Sequence, residues 1–221
     1  KMDYEAMLKA HKATGADCTI AAIEVPMKEA SRFGILNTNE DGSIYQFEEK
    51  PKQPKSNLAS MGIYIFTASK LFKYLTEDDE NPNSSKDFGK DVLPAMLNAG
   101  EKMYSYRFQG YWKDVGTISS LWEANMDLLG EDPAFDVSDA DWKIHSRNPL
   151  APPEYIGEKA VIGNSLISLG CEIGGTVINS VLSSNVVIEE GAEVVDSVLM
   201  AGTVVKKGAK VIYSIVDENT V

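Results

Sequence analysis

Apolar residues recur along this chain at three different periods, and the changes between them divide it. Over residues 4–14 the helical period places Tyr4, Met7, Leu8 and His11 near one face. The run DCTIAAIEV (17–25) is largely apolar and predicts a buried strand. EASRFG reads as a loop, GILNT as a second strand and NEDGS as an Asp-Gly turn. In IYQFEE apolar and polar residues alternate until Pro51 ends the strand. LASMGIYIF (58–66) is another strand, with small residues at Ser60-Met61-Gly62 that fit either a bulge or close approach of a ligand to the backbone. Helical patterns follow at 67–76 and 87–99, separated by the polar run EDDENPNSSK. A strand at 102–108 and a helix at 117–129 complete a mixed set that implies α/β layers.

Residues 131–155 lose this order. They carry Pro133, Pro149, Pro152 and Pro153 with little periodicity, and are expected to be a surface linker. From Ile156 the chain repeats itself: NSLI, NSVL, DSVL and YSIV begin at residues 164, 179, 196 and 213, that is 15, 17 and 17 residues apart. Within the units an aliphatic residue returns about every six positions, and glycines or small residues punctuate them, which predicts a hexapeptide β-helix over 156–221. The ends of such a solenoid expose apolar surface and call for a cap or a partner.

Composition narrows the function. With 43% hydrophobic and 24% charged residues, the 221-residue chain can build a core. Its net charge of −12 argues against nucleic acid as a partner, and requires any phosphate site to be built locally. No apolar run is long enough to span a bilayer and no signal-peptide pattern opens the chain, so no membrane partner is expected. Two widely separated cysteines, Cys18 and Cys171, read as free thiols of a cytoplasmic protein. The only histidines, His11 and His145, lie outside the repeats, so the coils lack the base that an acyltransferase would need.

Three short segments carry candidate chemistry. In FEEKP, Glu49 can accept hydrogen bonds from sugar hydroxyls while Lys50 meets a phosphate; the same pair also suits a solvated strand end. In YWKDVGT, Thr117 is a plausible N-cap and Asp114 precedes the helix, as a metal ligand or as a capping or loop carboxylate. In DFGKD, helix capping alone accounts for Asp87 and Asp91.

The order FEEKP, SMGIYIF, DFGKDVLP, YWKDVGT with SLWEANMDLL, then a β-helix, resembles the bacterial glucose-1-phosphate adenylyltransferase family over essentially the whole chain. The resemblance implies a partial Rossmann-like nucleotidyltransferase domain at 1–130, a linker at 131–155 and a left-handed parallel β-helix at 156–221. It implies that Glu49 binds glucose hydroxyls, Lys50 the phosphate of glucose 1-phosphate and Ser60 the sugar, with the Gly34 backbone against it. Asp114 would be one of two aspartates holding Mg²⁺. The implied reaction joins glucose 1-phosphate to ATP, giving ADP-glucose for glycogen synthesis and pyrophosphate, in an allosteric homo- or hetero-oligomer that is a tetramer in the family. The family's glycine-rich loop GGGxGTRL and the second aspartate are absent, and the last coils are expected to be missing. The expectation is therefore a fragment without the N-terminal nucleotide-binding part, inactive alone and with no assigned catalytic residue. Other readings are a UTP-, GTP- or dTTP-dependent relative, a noncatalytic regulatory subunit, and a β-helix assembly module.

Overall fold

The computed structural model describes residues 1–146 and 149–221; Arg147 and Asn148, inside the expected linker, lie outside the described residues. The chain divides into two compact units, Lys1–Gly110 and Tyr111–Val221.

In the first unit, helix α1 (Tyr4–Thr14) starts where the Asp3 carboxylate accepts the Ala6 amide at 3.0 Å, and stops at left-handed Gly15. Only Met7 and His11 of its expected apolar face are buried; Tyr4 and Leu8 are exposed. Strand β1 (Cys18–Glu24) lies at the heart of a mixed sheet with β2 (Gly34–Thr38), β3 (Ile44–Glu49), β4 (Leu58–Phe66) and β5 (Met103–Arg107), in the order β3-β2-β4-β1-β5. β1 runs parallel to β5 and antiparallel to β4, so it is flanked on both edges, which suits its largely apolar sequence and the burial of Cys18–Ala22. Ile20, Leu36, Leu58, Leu93, Met96 and Met103 are among the residues that fill the core.

Two elements differ from the sequence pattern, each for a local reason. Helix α2 (Ala68–Glu80) runs four residues further than expected, through the acidic run, and ends where Asn81 precedes Pro82. A residue before proline is pushed out of the helical region. The helix expected at 87–99 is a π-helical turn, Phe88–Val92, followed by α3 (Leu93–Asn98). Pro94 brings no amide hydrogen to the first turn of α3, and the Leu93 amide reaches back five residues to Phe88 O.

In the second unit, helix α4 (Ile118–Met126) is followed by short strands. These are β6 (Tyr155–Ile156), β7 (Val161–Gly163), β8 (Leu166–Ile167), β9 (Glu172–Ile173), β10 (Thr176–Ile178) and β11 (Val181–Leu182). They continue as β12 (Val187–Ile188), β13 (Glu193–Val195), β14 (Val198–Leu199), β15 (Val204–Val205), β16 (Lys210–Ile212) and β17 (Ile215–Val216). Each sheet takes one strand from every coil, giving three parallel four-stranded sheets: β6-β9-β12-β15, β7-β10-β13-β16 and β8-β11-β14-β17. Ile173, Val177, Leu182, Ile188, Val194 and Leu199 point inward and are fully or almost fully buried.

The repeat motif has a direct structural meaning. Its first position, Asn164, Asn179, Asp196 or Tyr213, adopts positive φ at a corner. Asn164 donates to Asn179 at 2.7 Å and Asn179 to Asp196 at 2.6 Å, so the corner is tied from coil to coil. The serine at the next position accepts the amide of its counterpart one coil on: Ser165 from Ser180, Ser180 from Ser197 and Ser197 from Ser214, at 3.0–3.1 Å. Ser180 and Ser197 are wholly buried, and each also donates to a backbone carbonyl, which satisfies the hydroxyl. The 15-residue spacing arises where β9 meets β10 through Gly174-Gly175 alone, whereas β12 meets β13 through the four residues 189–192. A methyl group on Gly175 would lie 2.4 Å from Ala192 O, so only glycine fits there. Helix α4 is fastened to the coils by Trp122, whose Nε1 donates to Asp196 O at 2.8 Å and whose ring meets Tyr213 edge-on at 4.6 Å.

Candidate functional site

The first unit gathers Gly34, Glu49, Lys50 and Ser60 on β2, β3, β4 and the turn after β3. Glu49 ends β3 directly opposite Gly34 of β2. Its side chain is 22% exposed, and Oε1 lies 3.6 Å from Lys50 Nζ. Lys50 has φ +47, the left-handed region that non-glycine residues rarely occupy, and its amide is held by Phe33 O at 3.1 Å. That turn takes the lysine out of the strand, and its side chain stays 66% exposed, with its ammonium free to meet a further anion. Phe47 packs beneath the carboxylate, close against Gly34 and Gly89.

β4 supplies the next wall. Ser60 is opposite Ala22, yet Tyr64 is opposite Ile20, so four steps along β4 match two along β1. This bulge contains Gly62 at φ +70, and Ser60 Oγ accepts the Gly62 amide at 3.3 Å. The small residues thus make a bulge, which leaves Ser60 half-buried beside Tyr64. Burial pushes the Tyr64 phenol above its usual range; its hydrogen bond with Ser60 pulls the other way, and the Glu49 and Asp87 carboxylates push it further up. The Tyr64 ring stacks on Phe88 at 5.6 Å. Asp87 caps the π-turn by accepting the Gly89 and Lys90 amides at 2.8 and 3.0 Å, so its capping role is real.

Sequence reasoning did not single out Tyr64, Phe88 or Gly89. One signal for Gly89 was available: glycine near the start of a helix is unfavourable relative to alanine, so its presence asks for a packing reason. Tyr64 and Phe88 read as ordinary apolar positions and carry no such mark.

Asp114 belongs to the second unit. Thr117, not Asp114, caps α4, accepting the Ser120 amide at 3.1 Å. The loop is strapped to the helix: Lys113 meets Glu123 and Asp127, each at 3.0 Å, and Tyr111 donates to Asp127 at 2.9 Å. Burial, then the Asp127 bond, pushes Tyr111 up to about 12. Asp114 itself is exposed and has no hydrogen-bond or ion-pair partner among the described residues. Its carboxylate packs over Gly116, where a methyl group would lie 3.3 Å from Oδ2. Among the described residues no group of three or more histidines, cysteines or acids could hold a metal. One free carboxylate oxygen fits an ion that takes its other ligands from substrate phosphates and water.

The remaining titratable groups of early interest are structural. His11 Nδ1 pairs with Thr19 Oγ1 at 2.8 Å, and burial lowers its pKa, a lowering that the nearby Asp17 opposes. Cys18 and Cys171 are buried free thiols, both pushed up, chiefly by burial. No helix among the described residues is long and apolar enough to cross a membrane.

Comparison with known proteins gives two family matches, the first of which runs past the Gly110/Tyr111 boundary between the compact units. Residues 1–131 match the nucleotidyl transferase family, whose chemistry generally uses a divalent metal, and residues 153–221 match the GlmU-like, C-terminal hexapeptide family. The chain is 61% identical over 188 residues to the glucose-1-phosphate adenylyltransferase of Clostridium botulinum (strain Alaska E43 / Type E3), covering 85% of this chain and 49% of the relative. The protein of the same name from Clostridium beijerinckii is 60% identical over 188 residues, with the same coverage. That from Bacillus anthracis is 58% identical over 190 residues, covering 86% of this chain and 50% of the relative. The chain spans about half the length of these curated relatives. With residues 1–131 of 221 matched, the chain belongs to the nucleotidyl transferase family.

Proposed function

We propose that this chain supplies the sugar-phosphate side of a glucose-1-phosphate adenylyltransferase. In that reaction an oxygen of the glucose 1-phosphate phosphate attacks the α-phosphorus of ATP, the bond from the α-phosphorus to the bridging oxygen breaks, and pyrophosphate leaves with ADP-glucose formed. The observation that carries the reading is the Glu49 carboxylate fixed at the end of β3, with the Lys50 ammonium 3.6 Å away and exposed. Glu49 accepts glucose hydroxyls, Lys50 neutralises the phosphate, and Ser60 and the Gly34 backbone line the sugar. Asp114 is one ligand for Mg²⁺, which when bound offsets charge on the reacting phosphates. Positioning and charge neutralisation are the protein's part. The catalytic region extends to about residue 130, and the coils from 156 onward serve assembly into an oligomer of this cytoplasmic enzyme. The chain alone is inactive, because it contains no GGGxGTRL loop for the nucleotide.

The test is steady-state kinetics on the full-length protein. Lys50→Ala raises the KM for glucose 1-phosphate by on the order of tenfold to a hundredfold and that for ATP far less, since losing a charge-assisted hydrogen bond costs about 1.5–3 kcal/mol. Asp114→Asn lowers kcat strongly and leaves the fold intact. Equal changes for both substrates with Lys50→Ala, or normal turnover with Asp114→Asn, refute the assignments.

A further inference from the structure

Glu49 is the one acidic side chain placed on the sugar, so what fixes its carboxylate matters as much as the residue itself. Its hydrogen-bonding surroundings are sparse: the lysine beside it lies at 3.6 Å, which is an ion pair and not a rigid clamp. Packing is tighter. A methyl group built on Gly89 would lie 2.7 Å from Glu49 Oε2 and 3.3 Å from both its Cδ and Phe47 Cε1. A methyl group on Gly34 would lie 3.0 Å from the same oxygen and 2.5 Å from Phe47 Cζ. Oε2 therefore occupies a slot whose two walls are bare α-carbons, with the Phe47 ring beside it.

The two glycines come from different places. Gly34 faces Glu49 across the β2–β3 ladder, whereas Gly89 is buried in the π-turn after α2, and Asp87 holds the Gly89 amide at 2.8 Å. Gly89 has no positive φ, so its backbone accepts an ordinary side chain, and alanine is the better helix former. Conformational freedom is thus not the reason for glycine at this position; space for the carboxylate is.

We propose that Gly89 is a positioning residue for Glu49: its missing side chain opens the slot that seats Oε2 and leaves Oε1 to the sugar hydroxyls. The inference rests on Glu49 being the sugar-binding carboxylate. It explains the glycine of DFGKD as part of the sugar site, beside the capping role of Asp87.

The experiment combines melting temperature with glucose 1-phosphate and ATP kinetics on the full-length protein, for Glu49→Gln, Gly89→Ala, Glu49→Asp and the double variant Gly89→Ala/Glu49→Asp. Gly89→Ala is expected to raise the KM for glucose 1-phosphate at least fivefold, with the KM for ATP within twofold of the parent and the melting temperature equal or higher. A merely structural glycine would show the reverse, with stability lost and both substrates affected alike. Should Gly89→Ala lower the melting temperature, the shorter Asp at position 49 must restore it, since it withdraws the crowded oxygen; no restoration overturns the proposal. A stable Gly89→Ala protein with an unchanged KM for glucose 1-phosphate overturns it as well, provided Glu49→Gln impairs that substrate. If Glu49→Gln leaves glucose 1-phosphate binding intact, it is the sugar-binding reading of Glu49 that fails, and the inference falls with it.

Discussion

Two glycines, one from each unit, are required for opposite reasons. In the coils, a methyl group on Gly175 would meet backbone: Ala192 O at 2.4 Å and Glu189 O at 2.8 Å. In the α/β unit, a methyl group on Gly89 would meet the end of a side chain that can swing aside, Glu49 Oε2 at 2.7 Å. Backbone in a stacked coil cannot yield without unseating its neighbours, while a carboxylate can yield and lose only its aim. Where the fold is periodic, a substitution damages stability; where it is irregular and built around a site, the same substitution can spare stability and damage binding.

The largest effect that would break this contrast comes from the coil core. Leu182 is wholly buried and stacks between Ile167 and Leu199. Leu182→Ala should cost about 2–5 kcal/mol in the urea transition of the second unit. The proposed glucose 1-phosphate binding by the first unit should be unaffected, and loss of both together would mean that the units are not energetically separate.

Gly175→Ala comes next, at about 1–3 kcal/mol for overpacking in the same transition. Paired with Gly89→Ala it sharpens the comparison directly, since one chemical change is expected to move the denaturation midpoint in one unit and a substrate KM in the other. A harmless Gly175→Ala would show that the coils tolerate local spreading.

The smallest effect is one of pH and belongs mainly to the α/β unit. Tyr74 is pushed up to about 12, by burial first and then by its bond to Glu101 Oε1 at 2.9 Å. An unfolded tyrosine titrates near 10. The group's contribution is full below about pH 10 and declines as pH rises toward 12, because the unfolded chain loses its proton first. Lys70, raised by its hydrogen bond to Glu101, works in the same direction. Urea midpoints should therefore fall over that window, and less steeply in Tyr74→Phe. Tyr111 gives the second unit a like dependence through its strapped loop, not through its coils.

Legibility followed the same divide. In the coils, spacing alone announced the architecture: residues 164, 179, 196 and 213 fall on one corner, and every strand pairs with its counterpart one unit away. In the α/β unit the strands were readable from local pattern, because β4 spans the same Leu58–Phe66 run that its apolar residues mark out. The candidate site was half readable. Glu49 and Lys50 stand together in sequence, and Asp114 sits in a recognisable loop. The contacts from Gly89 and Tyr64 come from segments 15 to 40 residues away, and no periodicity encodes them. The strap from Tyr111 and Lys113 to Asp127 was hidden for a similar reason: it depends on where a helix ends, which pattern locates poorly.

The short corner at Gly174-Gly175 bears on how the solenoid avoids folding errors. Identical coils would have a translational symmetry, and a chain could stack one turn out of place with nearly the same apolar contacts. A 15-residue turn among 17-residue turns removes that degeneracy, because the next coil's carbonyls come down on the one corner that carries no side chains. The corners at 189–192 and 206–209 are two residues longer and carry side chains, so the short corner has no counterpart there. The two glycines thus act as a phase mark, written into a repeat that otherwise cannot count its own turns, and Tyr213 against Trp122 supplies a second.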